Sequence, residues 1–228
     1  MSFDPISIFF QAIVFLFAIC VHESAHAWMA NRCGDPTARL MGRITMNPLK
    51  HIDPIGTIVL PAIGLISGVG IFGWAKPTPV TAANFREPIK GDILTTVAGP
   101  VSNFLLVMGS VAALAVISLV NPVGHQLVHN MAAGIPAGPD SVLFPIVVLL
   151  YIAVELNLLL GIFNLFPIPP LDGSHLVRHM LPLPLLRIYD SIGIIGLALL
   201  FLFGGRLIHF FMSPLMNGVN RILLMVAR

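Results

Sequence analysis

Two histidines and a glutamate stand together at His22-Glu23-Ser24-Ala25-His26, a grouping suited to holding a metal ion and moving a proton. On a helix, positions i and i+4 lie about 40° apart around the axis and one turn up. His22 and His26 then point the same way and can share one metal. Two imidazoles at this spacing suit zinc, which keeps room for a third protein ligand and a water. Glu23, one step round the helix, can reach that water without being a ligand and serve as its general base. Chance placement of so few His and Glu would give the pattern roughly 0.004 times in a chain of this length, so coincidence is a poor rival. The structural rival is a helix end with polar residues at the lipid headgroups. The apolar run that holds the motif, residues 6–30, speaks against it, because ionisable groups inside membrane helices are costly and mark function.

That run belongs to a chain built for a bilayer. Of its 228 residues, 57% are hydrophobic and 10% charged, and mean hydropathy is +0.93. A soluble domain carries about 25% charged residues. The expected fold class is an all-α polytopic membrane protein with about four to six membrane segments, a re-entrant segment and a small interfacial β element. We read residues 1–228 as a single integral-membrane domain, with a catalytic core over about 6–173. A C-terminal membrane segment and interfacial helix follow over about 174–228. The first run is too long for a cleavable signal and has no basic residue before it. The net charge of +2, without a basic patch, excludes nucleic acid as a partner and leaves lipid as the surroundings. Cys20 and Cys33 are read as free thiols.

The remaining elements must bring a third ligand to the histidines. Arg32, Arg39, Arg43 and Lys50 crowd the segment after the first span, so that side is cytoplasmic. Leu40 to Met46 is read as a short strand. Residues 55–72 are apolar but broken by Gly56, Pro61, Gly64, Gly68 and Gly70. Basic residues flank both sides, so the stretch should enter and return. Residues 73–80 are held extended by their prolines and should run beside the active end of the first span. The next span, about 92–120, opens with Ala98-Gly99-Pro100-Val101-Ser102-Asn103, whose Asn103 needs a buried partner. Residues 121–140, with His125 and His129, read as a loop with a short interfacial helix. The span at 141–163 carries Glu155 and Asn157, which should face protein. Three prolines in four residues, Pro167 to Pro170, then force an extended path to Asp172 on the same side as the histidines. Asp172 is preferred as third ligand over Asp53 and Asp92; its rival role is a helix N-cap.

Three motifs together resemble the site-2 proteases, zinc-dependent intramembrane metalloproteases. They are His22-Glu23-x-x-His26, Ala98-Gly99-Pro100-x-x-Asn103, and Asn164-x-x-Pro167-x-Pro169-Pro170-x-Asp172-Gly173. Gly34-Asp35-Pro36-Thr37 and the 47–54 stretch resemble a compact prokaryotic branch without PDZ or CBS domains. The resemblance implies one Zn2+ per chain on His22, His26 and Asp172, with Glu23 as base. It implies substrate or oxyanion contacts from Asn103 and Asn164, and substrate guiding by His51. It implies cleavage of peptide bonds within or beside transmembrane segments of membrane-protein substrates, in a prokaryotic inner membrane with the site toward the cytoplasm. Ser24 departs from the family pattern, where a bulkier apolar residue is common. A membrane zinc transporter and a non-catalytic helix-binding protein are the alternative readings. Oligomeric state is left open.

Overall fold

A computed structural model of the chain describes residues 5–66, 73–136, 141–203 and 205–227. The helices, in chain order, are α1 (Pro5–Cys33), α2 (Thr37–Leu40), α3 (Leu60–Ile66), α4 (Pro88–Val120), α5 (Pro122–Ala133), α6 (Phe144–Asn164), α7 (Gly173–Arg178), α8 (Leu183–Phe203) and α9 (Gly205–Val226). Single turns of tighter helix lie at Pro48–Lys50 and Ala82–Asn84, and a wider π-type turn at Pro54–Val59 leads into α3. The start signals are local. Pro88, Pro122 and Pro145 stand in the first turns of α4, α5 and α6, where a missing N–H costs nothing. Asn121 caps α5 by accepting from the N–H groups of Val123 and Gly124.

Three described helices are long and apolar enough to cross a bilayer: 27 residues at Ser7–Cys33, 33 at Pro88–Val120 and 21 at Phe144–Asn164. The stretch from Pro54 to Ile66 is too short to cross. It comes back to its own start, where the Trp74 N–H donates to the Gly56 carbonyl at 3.1 Å. The described chain thus returns beside its own start, and residues 67–72 of the stretch read as re-entrant lie outside the described residues.

α4 is the central helix, with α1 on one side and α6 on the other. At one end Val107 and Leu114 of α4 meet Leu127 and Val128 of α5, Val147, Val154 and Leu158 of α6, and Leu223 of α9. Lipid tails are as apolar as these side chains, so close dispersion contact rather than escape from water holds this core. Phe9, Phe17, Leu105, Met108 and Leu119 stay exposed on the outside of the bundle, as lipid-facing residues should. The Arg86 N–H donates to the Cys33 carbonyl at 3.0 Å, so the end of α1 and the start of α4 share the opposite end of the bundle. The polar motifs meet there.

The structure corrects several expectations. No strand occurs among the described residues, so the interfacial β element is absent. Leu40 ends α2 and Gly42 turns the chain at φ +67°. Residues 73–80 are extended, but the N–H groups of Trp74, Lys76 and Thr78 go to Gly56, His51 and Glu23, not to a neighbouring strand. The stretch read as a loop with a short helix is mostly the twelve-residue α5, closed by Gly134 at φ +69°. The interfacial helix read at the C-terminus is α9. It starts at Gly205 and docks into the core through fully buried Leu223. In the apolar run before it, the side chains of residues 197–204 lie outside the described set. Glu155 is exposed but lines a groove with Gln11 of α1 and Met212 of α9, whereas Asn157 is buried.

Candidate metal centre

α1 is uninterrupted by Gly or Pro after its first residue, so His22 and His26 stack one turn apart as their spacing requires. Their Nε2 atoms lie 3.0 Å apart. Oδ2 of Asp172 lies 3.2 Å from Nε2 of His22 and 3.4 Å from Nε2 of His26. Both rings are about 7% exposed. The Asp172 side chain does not cap α7, so the N-cap role is not taken up. Asp172 reaches the histidines because Gly173 passes close to the main chain of Leu165. A Cβ there would lie 2.2 Å from the Leu165 carbonyl oxygen.

The far side of each ring fixes its tautomer. Nδ1 of His26 lies 2.7 Å from the Thr95 carbonyl, which can only accept. Nδ1 of His22 lies 2.6 Å from Oδ1 of Asn103. The amide orientation there follows from a chain of contacts. Nδ2 of Asn157 donates to the Ala153 carbonyl at 2.8 Å, which turns its Oδ1 toward Nδ2 of Asn103 at 2.9 Å. Oδ1 of Asn103 must then face His22 and accept. Both imidazoles carry their proton on Nδ1, away from the centre. With both rings neutral, two nitrogen lone pairs and a carboxylate oxygen therefore converge, and the buried Oδ2 of Asp172 accepts no hydrogen bond. Such an arrangement repels itself unless a cation sits in it. Tetrahedral zinc with bonds of about 2.0–2.1 Å sets its ligand atoms about 3.3–3.4 Å apart, close to the spacings seen.

Gly99 of α4 forms the floor. A Cβ on it would lie 2.4 Å from Nε2 of His26 and 2.6 Å from Nε2 of His22. Only a residue without a side chain lets α4 approach the two rings. Pro100 follows it and cannot donate to the Thr96 carbonyl, which interrupts the helical ladder in the same turn.

Loops clasp the other face of the motif. Thr78 donates to Oε2 of Glu23 through its N–H at 2.9 Å and lies 2.7 Å from it through its hydroxyl. Ser24 donates to the Thr45 carbonyl at 2.7 Å and accepts from the Thr45 N–H at 3.3 Å. A small hydroxyl at position 24 thus anchors the loop after α2, which accounts for the departure from a bulky apolar residue. Buried Arg43 donates to the carbonyls of Lys50, Lys76 and Pro77, tying the two loops together. Burial lowers the basicity of Arg43, and the charge of Glu23 offsets part of that. Asp35, fully buried, accepts from Thr37, from the Thr81 N–H at 2.7 Å and from Asn84 at 2.9 Å. Burial would raise the Asp35 carboxyl, but these donors hold it below the usual range.

His22, His26 and Asp172 are brought together as their motifs suggest, and Glu23, the next residue to His22, is held by Thr78. Asn103 joins them behind His22, with its amide NH2 on Asn157. Asn164 donates to Leu160 of its own helix at 3.0 Å. His51 is fully buried with Nε2 on the Thr45 carbonyl at 2.8 Å. Asp53 caps the turn at Pro54, and Asp92 binds His175 and His179, which removes both rivals to Asp172. Sequence reasoning missed Gly99, Thr95 and Thr78. Thr95 acts through its main chain, which carries no signal, whereas Gly99 stood inside a motif already singled out.

The model of Peptidase family M50 matches residues 10–203, a span that includes every one of these groups. The chain belongs to this family, that of the site-2 proteases. Among M50-like relatives, "Putative zinc metalloprotease YwhC" of Bacillus subtilis (strain 168) is 36% identical over 179 residues, 78% of this chain and 72% of that protein. "Putative zinc metalloprotease Rip2" of Mycobacterium tuberculosis (strain ATCC 25618 / H37Rv) is 29% identical over 169 residues, 73% of this chain and 56% of that protein. The Rip2 of Mycolicibacterium smegmatis (strain ATCC 700084 / mc(2)155) is 32% identical over 92 residues, 40% of this chain and 34% of that protein. The chain thus spans about half or less of the Rip2 proteins. No solved structure matches it. As an M50 member with three bilayer-length apolar helices, it is a membrane protein of a metalloprotease family.

Proposed function

We propose that this chain is a zinc-dependent intramembrane endopeptidase that hydrolyses peptide bonds within or beside transmembrane segments of membrane-protein substrates. The convergence of two Nε2 lone pairs and Oδ2 of Asp172, with both Nδ1 protons tied up behind, carries the reading. His22, His26 and Asp172 would hold one zinc, which supplies a Lewis acid for the scissile carbonyl and lowers the pKa of water. Glu23, next to His22 and not a ligand, takes a proton from the attacking water and delivers it to the leaving amine. Asn103 and Asn157 hold the His22 ring. Asn164 is kept as a candidate substrate contact, since only one of its amide hydrogens is used among the described residues.

A helical substrate must unwind to present its carbonyl. Strand pairing along 73–80 would rest on Gly73 and Ala75, because Pro77 and Pro79 have no N–H to give. We infer that the metal end faces the cytoplasm of a prokaryotic inner membrane. Arg32, Arg39, Arg43, Lys50, Lys76, Arg86 and Lys90 all flank that end.

The test is reconstitution into vesicles with a library of labelled single-span peptides, read by mass spectrometry. Wild type should cut some of them beside or within the span. Glu23→Gln should keep its zinc and cut none. Zinc uptake into vesicles without cleavage would instead support a transporter, and cleavage by Glu23→Gln would remove the general base.

A further inference from the structure

We propose that Thr78 is a positioning residue for Glu23, fixing the carboxylate with one oxygen turned toward the reacting water; the inference rests on the protease reading. Its N–H lies 2.9 Å and its hydroxyl 2.7 Å from the same oxygen, Oε2. The hydroxyl also lies 3.0 Å from the main-chain carbonyl of Glu23. It has one proton, and the ionised carboxylate is the stronger acceptor. Among the described residues no hydrogen bond reaches Oε1 of Glu23, so that oxygen is left to take the proton. A free glutamate side chain turns about three bonds. Two donors on one oxygen remove that freedom before substrate arrives.

Thr78 is itself held on both sides. Before it, the Lys76 N–H donates to the His51 carbonyl at 2.8 Å, and Arg43 holds the carbonyls of Lys76 and Pro77. After it, the Thr81 N–H donates to Asp35 at 2.7 Å. Pro77 and Pro79 restrict the backbone on either side, and Pro79 biases Thr78 itself toward an extended conformation. The loop therefore aims both donors of Thr78 at the motif helix. A threonine that merely fastened the loop would be one anchor among several. This one lands on the proton-carrying group.

The experiment compares Thr78→Val, Thr78→Ser and Asn84→Ala with wild type and Glu23→Gln, in vesicles, on a peptide that wild type cleaves. Valine keeps the shape and the N–H but loses the hydroxyl; serine keeps both donors. Asn84→Ala loosens the same loop without touching Glu23. Thr78→Val should lower kcat about 10- to 100-fold, as loss of groups supporting a catalytic site does. Its KM and its zinc content should stay within about twofold of wild type, and Thr78→Ser should recover kcat to within about threefold. In infrared difference spectra against Glu23→Gln, the Glu23 carboxylate band should move in Thr78→Val and return in Thr78→Ser. Wild-type kcat in Thr78→Val, a loss that serine does not recover, or an equal loss in Asn84→Ala would overturn the inference. Failure of wild type to cleave any peptide would overturn the protease reading and this role with it. Cleavage by wild type with an unmoved infrared band would overturn the Thr78 contact alone.

Discussion

The chain carries two histidine pairs with the same i, i+4 spacing and a carboxylate against each, and they come to different ends. His22 and His26 face Asp172; His175 and His179 face Asp92. In the first pair each ring has an acceptor behind it, so its unprotonated nitrogen looks inward. In the second, Nδ1 of His175 and Nε2 of His179 lie 3.3 and 2.7 Å from one oxygen of Asp92, and can donate to it directly. The His175 and His179 side chains are 40% and 26% exposed. Donor meets acceptor there, and no ion is required. Among the described residues, only His22, His26 and Asp172 bring their ligand atoms all within 4.8 Å of one another. Spacing on a helix makes a metal site available; the acceptors behind the rings, and burial, are what suit the first pair to hold one.

The sharpest way to break this contrast is to exchange the fates of the two carboxylates. Asp172→Ala should abolish zinc binding, seen as a fall from about one zinc per purified chain to near none. Chelator should then lower the thermal midpoint of wild type and leave that of Asp172→Ala unmoved. Asp92→Ala should hold zinc as wild type does; loss of zinc there would mean that both pairs are metal sites.

Gly99→Ala comes next. Its methyl must displace two ligand rings, so both zinc occupancy and stability should fall, the latter by about 1–3 kcal/mol in unfolding measurements. Unchanged zinc in this variant would show that the floor can yield. Asn103→Leu should keep the fold and weaken zinc about 10- to 100-fold in competition with a chelator of known affinity, because His22 then loses the acceptor that sets its tautomer. The smallest effect belongs to Asp92→Asn, with about 0–1 kcal/mol of stability lost and zinc intact, since partly exposed ion pairs are weak.

Much of this was legible in residue order. A helix through His22 and His26 followed from an apolar run free of glycine, and Asp172 from the prolines before it. The return of the 55–72 stretch followed from basic flanks on both sides. What failed did so for physical reasons. Side-chain type says that Asn103 needs a partner, not whether that partner is a substrate or a histidine. His51, expected to guide a substrate, is fully buried, because its ring and its carbonyl both hold loops in place. The 73–80 segment is extended as its prolines suggest, and its alternate N–H groups find partners in a turn, a loop and a side chain rather than in a strand. α5 could have been read from Asn121, Pro122 and Gly134, whose capping roles are local.

The ligands sit far apart along the chain, with His22 on the first long helix and Asp172 beyond the last of the three bilayer-length spans. A growing chain that has inserted only α1 already carries both histidines and the base but has no third ligand. At ordinary synthesis rates of 5–20 residues per second, the roughly 150 residues between them take about 8 to 30 seconds to emerge. During that interval the half-made molecule has an incomplete metal cage, no Gly99 floor in its first stages and no acceptor behind His22. An unfinished chain beside other newly inserted helices therefore lacks the full set of candidate ligands, because the third reaches the histidines only after all three bilayer-length helices have been made.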